Sequence, residues 1–306
     1  LKVRVLVTGA SGFLGSWTVK ALAEAGHEVT ACDLRRRDRL FRAIATEALD
    51  DRVSWRDLDV ADSGAVEAMI GEAGPEVIIH LAALLIPPCW DDPAAAAQVN
   101  VVGHINMFEA ARRHGVRQVV YASSLAARIR NADGAHSTIY GTFKDWNECF
   151  AATYFAQYGL PSVGLRPAIV YGSGREAGAT AFVNQAIAAV VAGVDHQLPL
   201  RWQSRLEYVE QVAGLFHRCA EAEIPGALAS DVSATLTTDD DFIAALGRVV
   251  PGCRVSAAPD GPTKMAAEED VAALQGLIGP WRHIDLDDGI RRTIKGMALL
   301  EQSATT

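Results

Sequence analysis

The chain opens on a short apolar run, Val3-Arg4-Val5-Leu6-Val7, and glycines follow it at positions 9, 12 and 15. Such a run reads as a short strand buried on both faces, and a helical stretch, Ser16 to Ala25 closed by Gly26, comes directly after the glycines. Three glycines at a turn occur in many proteins for purely structural reasons; here the strand before them and the helix after them give the spacing its meaning. Gly9 lets the chain bend sharply out of the strand, Gly12 removes the Cβ that would hold a phosphate off the backbone, and Gly15 lets helix and strand pack closely. The free N–H groups at the helix start then face an anion. With Phe13 and Leu14 between them, these glycines form a dinucleotide-binding turn.

The next strand, Glu28 to Cys32, ends at Asp33, where a carboxylate accepts both hydroxyls of an adenosine ribose. Beyond it come a helix from Asp38 to about Leu49, a strand from Val53 to Leu58, a helix from Ser63 to Gly71 or Gly74, and an apolar strand from Val77 to Ala83. A helix from Ala94 to His114, a strand from Gln118 to Ser123, a helix from Ile139 to Tyr158 and a strand from Ser162 to Val170 complete the pattern. Strand and helix in strict alternation predict a parallel sheet covered on both faces. The fold class is α/β, a doubly wound Rossmann sheet over residues 1–174, with a smaller substrate lobe over 175–306 and chain exchange between the two. The lobe is expected to hold helices at Ala179 to Ala192, Val209 to Ala222, Asp239 to Val249 and Asp287 to Leu300, with short strands near Leu198, Leu228 and Val255. Thr238, three residues before Asp241, is a helix N-cap.

Tyr140 and Lys144 lie four apart on the expected helix and so share one face. A phenol is a poor base at neutral pH, but an ammonium and an oxidised nicotinamide beside it favour the phenolate. The pair Ser123-Ser124 ends a strand at the same carboxyl edge of the sheet, where a hydroxyl polarises a substrate oxygen while Tyr140 exchanges its proton. His80, alone in a buried strand with no second ligand at metal spacing, reads as a hydrogen-bonded core residue, and no metal is expected.

The motifs Thr8-Gly9-x-x-Gly12-x-x-Gly15, Asp59-Val60, His80-x-Ala82-Ala83, Asn100 in Val99-Asn100-Val101-Val102-Gly103, Tyr121-Ala122-Ser123-Ser124, Tyr140-x-x-x-Lys144 and Leu165-Arg166-Pro167-Ala168-Ile169-Val170-Tyr171-Gly172 resemble the extended short-chain dehydrogenase/reductases. That group includes nucleotide-sugar epimerases and dehydratases. The resemblance covers roughly residues 3 to 215 and implies Ser124, Tyr140 and Lys144 as the catalytic set. It further implies that Asp59 and Val60 flank the adenine, and that Leu81, Ala82 and Ala83 line the ribose and pyrophosphate. Pro167 and Ile169 would approach the nicotinamide, Lys144 would hold its ribose, and Asn100, Ser123 and Tyr140 complete the cofactor set. Asp33 favours NAD, while Arg35 to Arg37 keep NADP as the alternative.

Three departures bear on the substrate. Ala127-Arg128-Ile129 replaces the family's Val-Tyr-Gly after the serine strand, Ala168 stands where nucleotide-sugar enzymes commonly place an asparagine, and Arg205 is near but not at the place of a phosphate-gripping arginine. The expected activity is therefore NAD(P)-dependent oxidation or reduction of a secondary alcohol or ketone on a sugar, sugar acid or similar polyol. A nucleotide-sugar epimerase or dehydratase is the alternative within the fold, and a non-catalytic NAD(P) sensor the alternative outside it. A formal net charge of −9 argues against a broad basic surface for nucleic acid or anionic lipid. No apolar run reaches membrane-spanning length, and five scattered cysteines with no C-x-x-C suit reduced thiols in a cytoplasm. The first residue is Leu1, not Met, so the native start is left open. Apolar residues on several faces of the helices Ala94 to His114 and Ile139 to Tyr158 lead us to expect a homodimer, paired as a four-helix bundle.

Overall fold

The structure is a computed structural model that describes residues 2–233, 235–259 and 270–302. The expected strand, turn and helix open it as β1 (Arg4–Thr8) and α1 (Phe13–Glu24). Alternation continues through β2 (Glu28–Asp33), α2 (Arg39–Ile44), α3 (Glu47–Asp50), β3 (Val53–Asp57), α4 (Ser63–Ala73) and β4 (Val77–His80). The single helix expected from Asp38 is two helices, since the backbone turns extended at Ala45 with ψ at 162°.

A one-turn helix, α5 (Pro88–Asp91), precedes the long helix expected from Ala94, which is built of three pieces. These are α6 (Pro93–Ala97), a π-helical turn over Gln98–Val102 and α7 (Gly103–Arg113). The wider turn swings Asn100 onto the backbone of Leu84, whose N–H it accepts at 2.8 Å and whose carbonyl it donates to at 2.9 Å. β5 (Gln118–Ala122), α8 (Ile139–Tyr158) and β6 (Ser162–Arg166) follow. The last strand stops at Arg166, short of the expected Val170. Pro167 offers no N–H to the ladder and ends it, so that β7 (Ile169–Tyr171) pairs elsewhere.

The remaining elements are α9 (Phe182–Val191), β8 (His196–Gln197), β9 (Gln203–Ser204), β10 (Leu206–Tyr208), α10 (Val209–Glu221), β11 (Ala227–Asp231), β12 (Thr237–Thr238), α11 (Asp239–Val249), β13 (Val255–Ser256), α12 (Ala272–Ile278) and α13 (Leu286–Gln302). β7 pairs with β10 in a small parallel sheet. Thr238 caps α11 as expected: its hydroxyl accepts the Asp241 N–H at 3.1 Å, and the Asp241 carboxylate accepts the Thr238 N–H at 2.9 Å.

Seven strands form the central sheet in the order β11-β6-β5-β4-β1-β2-β3, and every neighbouring pair is parallel. Period-two alternation divides their side chains between two cores. Val5, Val7, Ile79 and Val120 face α1 and the later helices, whereas Leu6, Ile78, Val119 and Tyr121 face α4, α7 and α8. The short strand expected near Leu228 is the edge strand β11 of this main sheet, with Leu228 opposite Val163. α10 likewise packs against α1. Residues 209–231 thus return from the lobe to the main layer. No helix among the described residues is long and apolar enough to cross a membrane.

Candidate active site

Strand order reverses between β1 and β4, and the crevice where an open α/β sheet takes its ligand lies at the carboxyl ends of those strands. A cavity of about 950 Å³ occupies this place. The glycine turn forms one wall and is tight enough to exclude any other residue. A Cβ on Gly9 would sit 2.7 Å from the Ala82 nitrogen, one on Gly15 would sit 2.0 Å from the Gly9 oxygen, and φ at Gly9 is 67°. The N-cap Gly12 supplies no side-chain acceptor and the first turn of α1 holds no acid, so its N–H groups are open to an anion. These features fit a pyrophosphate.

At the far end Asp33 accepts the Ser11 N–H at 2.9 Å on one oxygen and the Leu34 N–H at 2.8 Å on the other. Burial raises its pKa, and these two bonds with the Arg37 charge oppose the rise. Each oxygen keeps a further lone pair for a ribose hydroxyl. Arg35 and Arg37 line the same end, while Arg36 is drawn away to Asp38 and over the Trp55 ring. Asp59, Val60, Leu81, Ala82 and Ala83 form the walls between.

The opposite end gathers Ser124, Tyr140 and Lys144. Thr138 caps α8 by accepting the Gly141 N–H at 3.0 Å, and this fixes Tyr140 in the first helical turn. Lys144, one turn on, donates to the Ala122 carbonyl at 2.6 Å with its ammonium 5.6 Å from the Tyr140 ring centre. The Ser124 hydroxyl accepts the Ala126 N–H at 3.2 Å and lines the cavity with Tyr140, and Ser123 instead gives its hydroxyl to Glu148, behind the wall. Glu148 is gripped in turn by Arg166 through two bonds, at 2.8 and 2.6 Å. Burial pushes the Tyr140 phenol up to about 12, with the Ser124 hydroxyl and the Arg175 charge pulling the other way. Burial also lowers Lys144 to about 8.

Of the residues singled out in the sequence, Gly9, Gly12, Phe13, Leu14, Gly15, Asp33, Asp59, Val60, Leu81, Ala82, Ala83, Ser123, Ser124, Tyr140, Lys144, Pro167 and Ile169 all line this one cavity. Asn100 stands behind the wall, holding Leu84. His80 is buried against the Thr8 hydroxyl at 2.7 Å, and burial lowers it to about 3. Arg205 is buried outside the cavity beside Glu207. Glu207 accepts the Ala168 N–H at 2.9 Å, and burial pushes its carboxyl up to about 8. Sequence reasoning passed over Arg175, Thr180 and Trp202, which complete the cavity wall.

His27, His217 and Glu221 also bring metal-ligating atoms together, at the opposite edge of the sheet. There the His27 Nδ1 accepts the Val3 N–H at 3.2 Å, which leaves its ring proton on Nε2, the atom a metal would need.

The model of the NAD dependent epimerase/dehydratase family matches residues 5–222. The chain belongs to this family. Among its relatives, the UDP-glucose 4-epimerase of Mycolicibacterium smegmatis is 34% identical over 202 residues, covering 61% of this chain and 64% of the relative. The uronate dehydrogenase of Pseudomonas syringae pv. tomato is 30% identical over 172 residues, covering 53% and 58%. The chain thus spans between half and two thirds of the length of these curated relatives. Two solved structures share the fold over nearly the whole chain. The Thermotoga maritima UDP-glucose 4-epimerase with UDP-glucose gives a TM-score of 0.81 at 21% identity, covering 96% of this chain and 98% of its own. The Thermus thermophilus UDP-glucose 4-epimerase complex with NAD gives 0.77 at 24%, covering 96% and 99%.

Proposed function

We propose that this member of the epimerase/dehydratase family is an NAD-dependent oxidoreductase acting on a secondary alcohol or ketone of a sugar, sugar acid or similar polyol. The observation that carries the reading is the convergence of Ser124, Tyr140 and Lys144 at one end of a cavity whose other end is Asp33 and the glycine turn. NAD, when bound, supplies the acceptor or donor of a hydride. Gly9, Gly12, Phe13, Leu14 and Gly15 would hold its pyrophosphate and Asp33 its adenosine ribose. Asp59 and Val60 would flank the adenine, and Leu81 to Ala83, Lys144, Pro167 and Ile169 would meet the rest.

Ser124 donates its hydroxyl proton as a hydrogen bond to the substrate oxygen and sets that oxygen beside Tyr140. The Tyr140 Oη takes the proton of the substrate hydroxyl as the C–O bond becomes C=O, and returns it in the reverse direction. A phenol held up to about 12 is protonated at neutral pH and so is ready to donate, while a nearby cation brings the phenolate within reach for oxidation. Asn100 keeps the Leu84 wall in place.

Tyr140→Phe tests this directly. Calorimetry should find NAD binding close to wild type, with turnover down by roughly 10²–10⁴-fold, the usual worth of a positioned acid/base. A variant that turns over at the wild-type rate would refute the mechanism. The alternative reading, a sugar epimerase, draws support from the M. smegmatis relative. Protein that releases near-stoichiometric NAD on denaturation favours it, and protein that purifies empty yet binds NAD favours the dehydrogenase.

We further propose a cytoplasmic homodimer. The rings of Trp146, Phe150, Tyr154 and Tyr158 touch in succession along α8, the first two stacked and the others tilted, and Trp146 and Tyr158 remain 37% and 52% exposed. Scattered thiols suit a reducing compartment. Sedimentation should show a dimer at micromolar concentration, shifted to monomer by Trp146→Glu, and a wild-type monomer would refute the pairing.

A further inference from the structure

The catalytic end of the cavity is walled by Leu85, Ile129, Ala168, Phe182, Leu200 and Trp202, and into this apolar setting the loop after β7 brings Arg175. One terminal nitrogen of its guanidinium donates to the Thr180 hydroxyl at 2.9 Å, and the group lies 5.6 Å from the centre of the Phe13 ring. Gly178 makes room for it, since a Cβ there would come within 2.9 Å of the same nitrogen. The Arg175 Nε is buried and has no hydrogen-bond partner, and among the described residues no carboxylate faces the group. Taking a guanidinium out of water is costly unless an anion meets it. Aiming it, seating it against glycine and leaving a donor unused is the arrangement expected of a binding group whose partner arrives with the ligand.

The charge pattern narrows the ligand. The acids of the cavity, Asp33 and Asp59, lie at the adenosine end, as do Arg35 and Arg37. Of the other cations, Lys144 is held by the Ala122 carbonyl and Arg205 is buried away from the cavity. A diphosphate would call for more than the single guanidinium left at the catalytic end, whereas a carboxylate fits one planar fork. Arg175 and Tyr140 line the same cavity, so an anion held by the guanidinium shares the space in which Tyr140 meets the substrate. We propose that Arg175 binds the carboxylate of the substrate, making the preferred substrate a hydroxy or sugar acid and not a neutral or nucleotide-linked sugar. This rests on the oxidoreductase reading above, which it sharpens.

The test compares D-galacturonate and D-gluconate with D-galactose, D-sorbitol and UDP-galactose in NAD reduction at 340 nm. Calorimetry of the same acids with NADH-saturated protein runs beside it. Wild type should prefer acids to their neutral counterparts by at least about tenfold in kcat/KM. Arg175→Met should raise KM for the acids by roughly 10- to 100-fold, the range of a charge-assisted hydrogen bond, and erase the preference while NAD affinity stays within about twofold. Arg175→Lys should keep part of the preference. Thr180→Val, which leaves the charge but loosens its aim, should cost the acids several-fold in KM. Equal use of acids and neutral sugars by wild type overturns the proposal. So does an Arg175→Met protein that loses NAD affinity but keeps the preference, which would assign the arginine to the cofactor phosphates. An Arg175 requirement confined to UDP-galactose overturns it in favour of a diphosphate. Acids that bind in an Arg175-dependent way without reducing NAD uphold the anion site and refute the dehydrogenase reading, and acids that do not bind refute the site itself.

Discussion

Glu207 offers a test of the packing beneath the catalytic floor. Its side chain is 1% exposed, one oxygen accepts the Ala168 N–H at 2.9 Å, and the other has no hydrogen-bond partner. Burial raises the carboxyl from its usual 4.5 to about 8, against the pull of the Ala168 bond and the Arg205 charge. A folded-state pKa above the unfolded one means that the folded protein holds the proton over this range and the unfolded chain releases it. The stability linked to this group is therefore fully present below pH 4.5 and is lost as pH rises towards 8. At 1.36 kcal/mol for each pH unit the interval is worth about 5 kcal/mol, large beside the 5–15 kcal/mol that holds a typical domain. Glu207→Gln keeps an acceptor for Ala168 and removes the ionisation. Urea denaturation followed by tryptophan fluorescence at pH 5, 6, 7 and 8 should show the variant gaining on wild type by about 1.4 kcal/mol per pH unit. A difference between the two proteins that stays flat from pH 5 to 8 would refute the reasoning. It would mean that Glu207 is ionised in the fold, paired with Arg205.

The glycine turn and the ribose acid give further expectations. Gly15→Ala would set a methyl 2.0 Å from the Gly9 oxygen, so α1 must move back from the turn; overpacking of this kind costs about 1–3 kcal/mol. Thermal unfolding should register that loss and calorimetry a fall in NAD affinity of about 100-fold, whereas wild-type affinity would show that the turn does not hold the cofactor. Asp33→Asn removes the negative charge beside Arg35 and Arg37. The ratio of NADP to NAD affinity should rise by roughly tenfold or more, in line with the worth of a hydrogen bond to a charged group, and an unchanged ratio would remove Asp33 from ribose recognition.

What could be read from the sequence was local. The strand, the glycines and the helix of the first turn are contiguous, and Asp33 follows from where β2 stops. Tyr140 and Lys144 follow from helical spacing. The unread features depend on contacts between distant segments. Nothing near Ala227–Asp231 says that this strand will lie beside β6, because its partner is chosen by the path of α10 across the sheet. Arg175 looks in sequence like any polar residue after Gly-Ser-Gly, and its role emerges only when the loop folds over Phe13. Asn100 sits within a run of helical residues, and a π turn decides which way it points. Arg205 and Glu207 did leave a trace: two opposite charges stand beside Leu206 in a short apolar stretch, and both are buried.

The place of β11 matters while the chain is still being made. Until Ala227–Asp231 has left the ribosome, the nascent sheet ends on β6, whose backbone N–H and C=O groups and whose buried Val163 and Leu165 stand open. A bare apolar edge of this kind recruits strands from other chains. Expression fragments cut near residue 174 should therefore aggregate and those carried through Asp231 should stay soluble, so the first point at which this polypeptide can be safely interrupted lies well inside its second half.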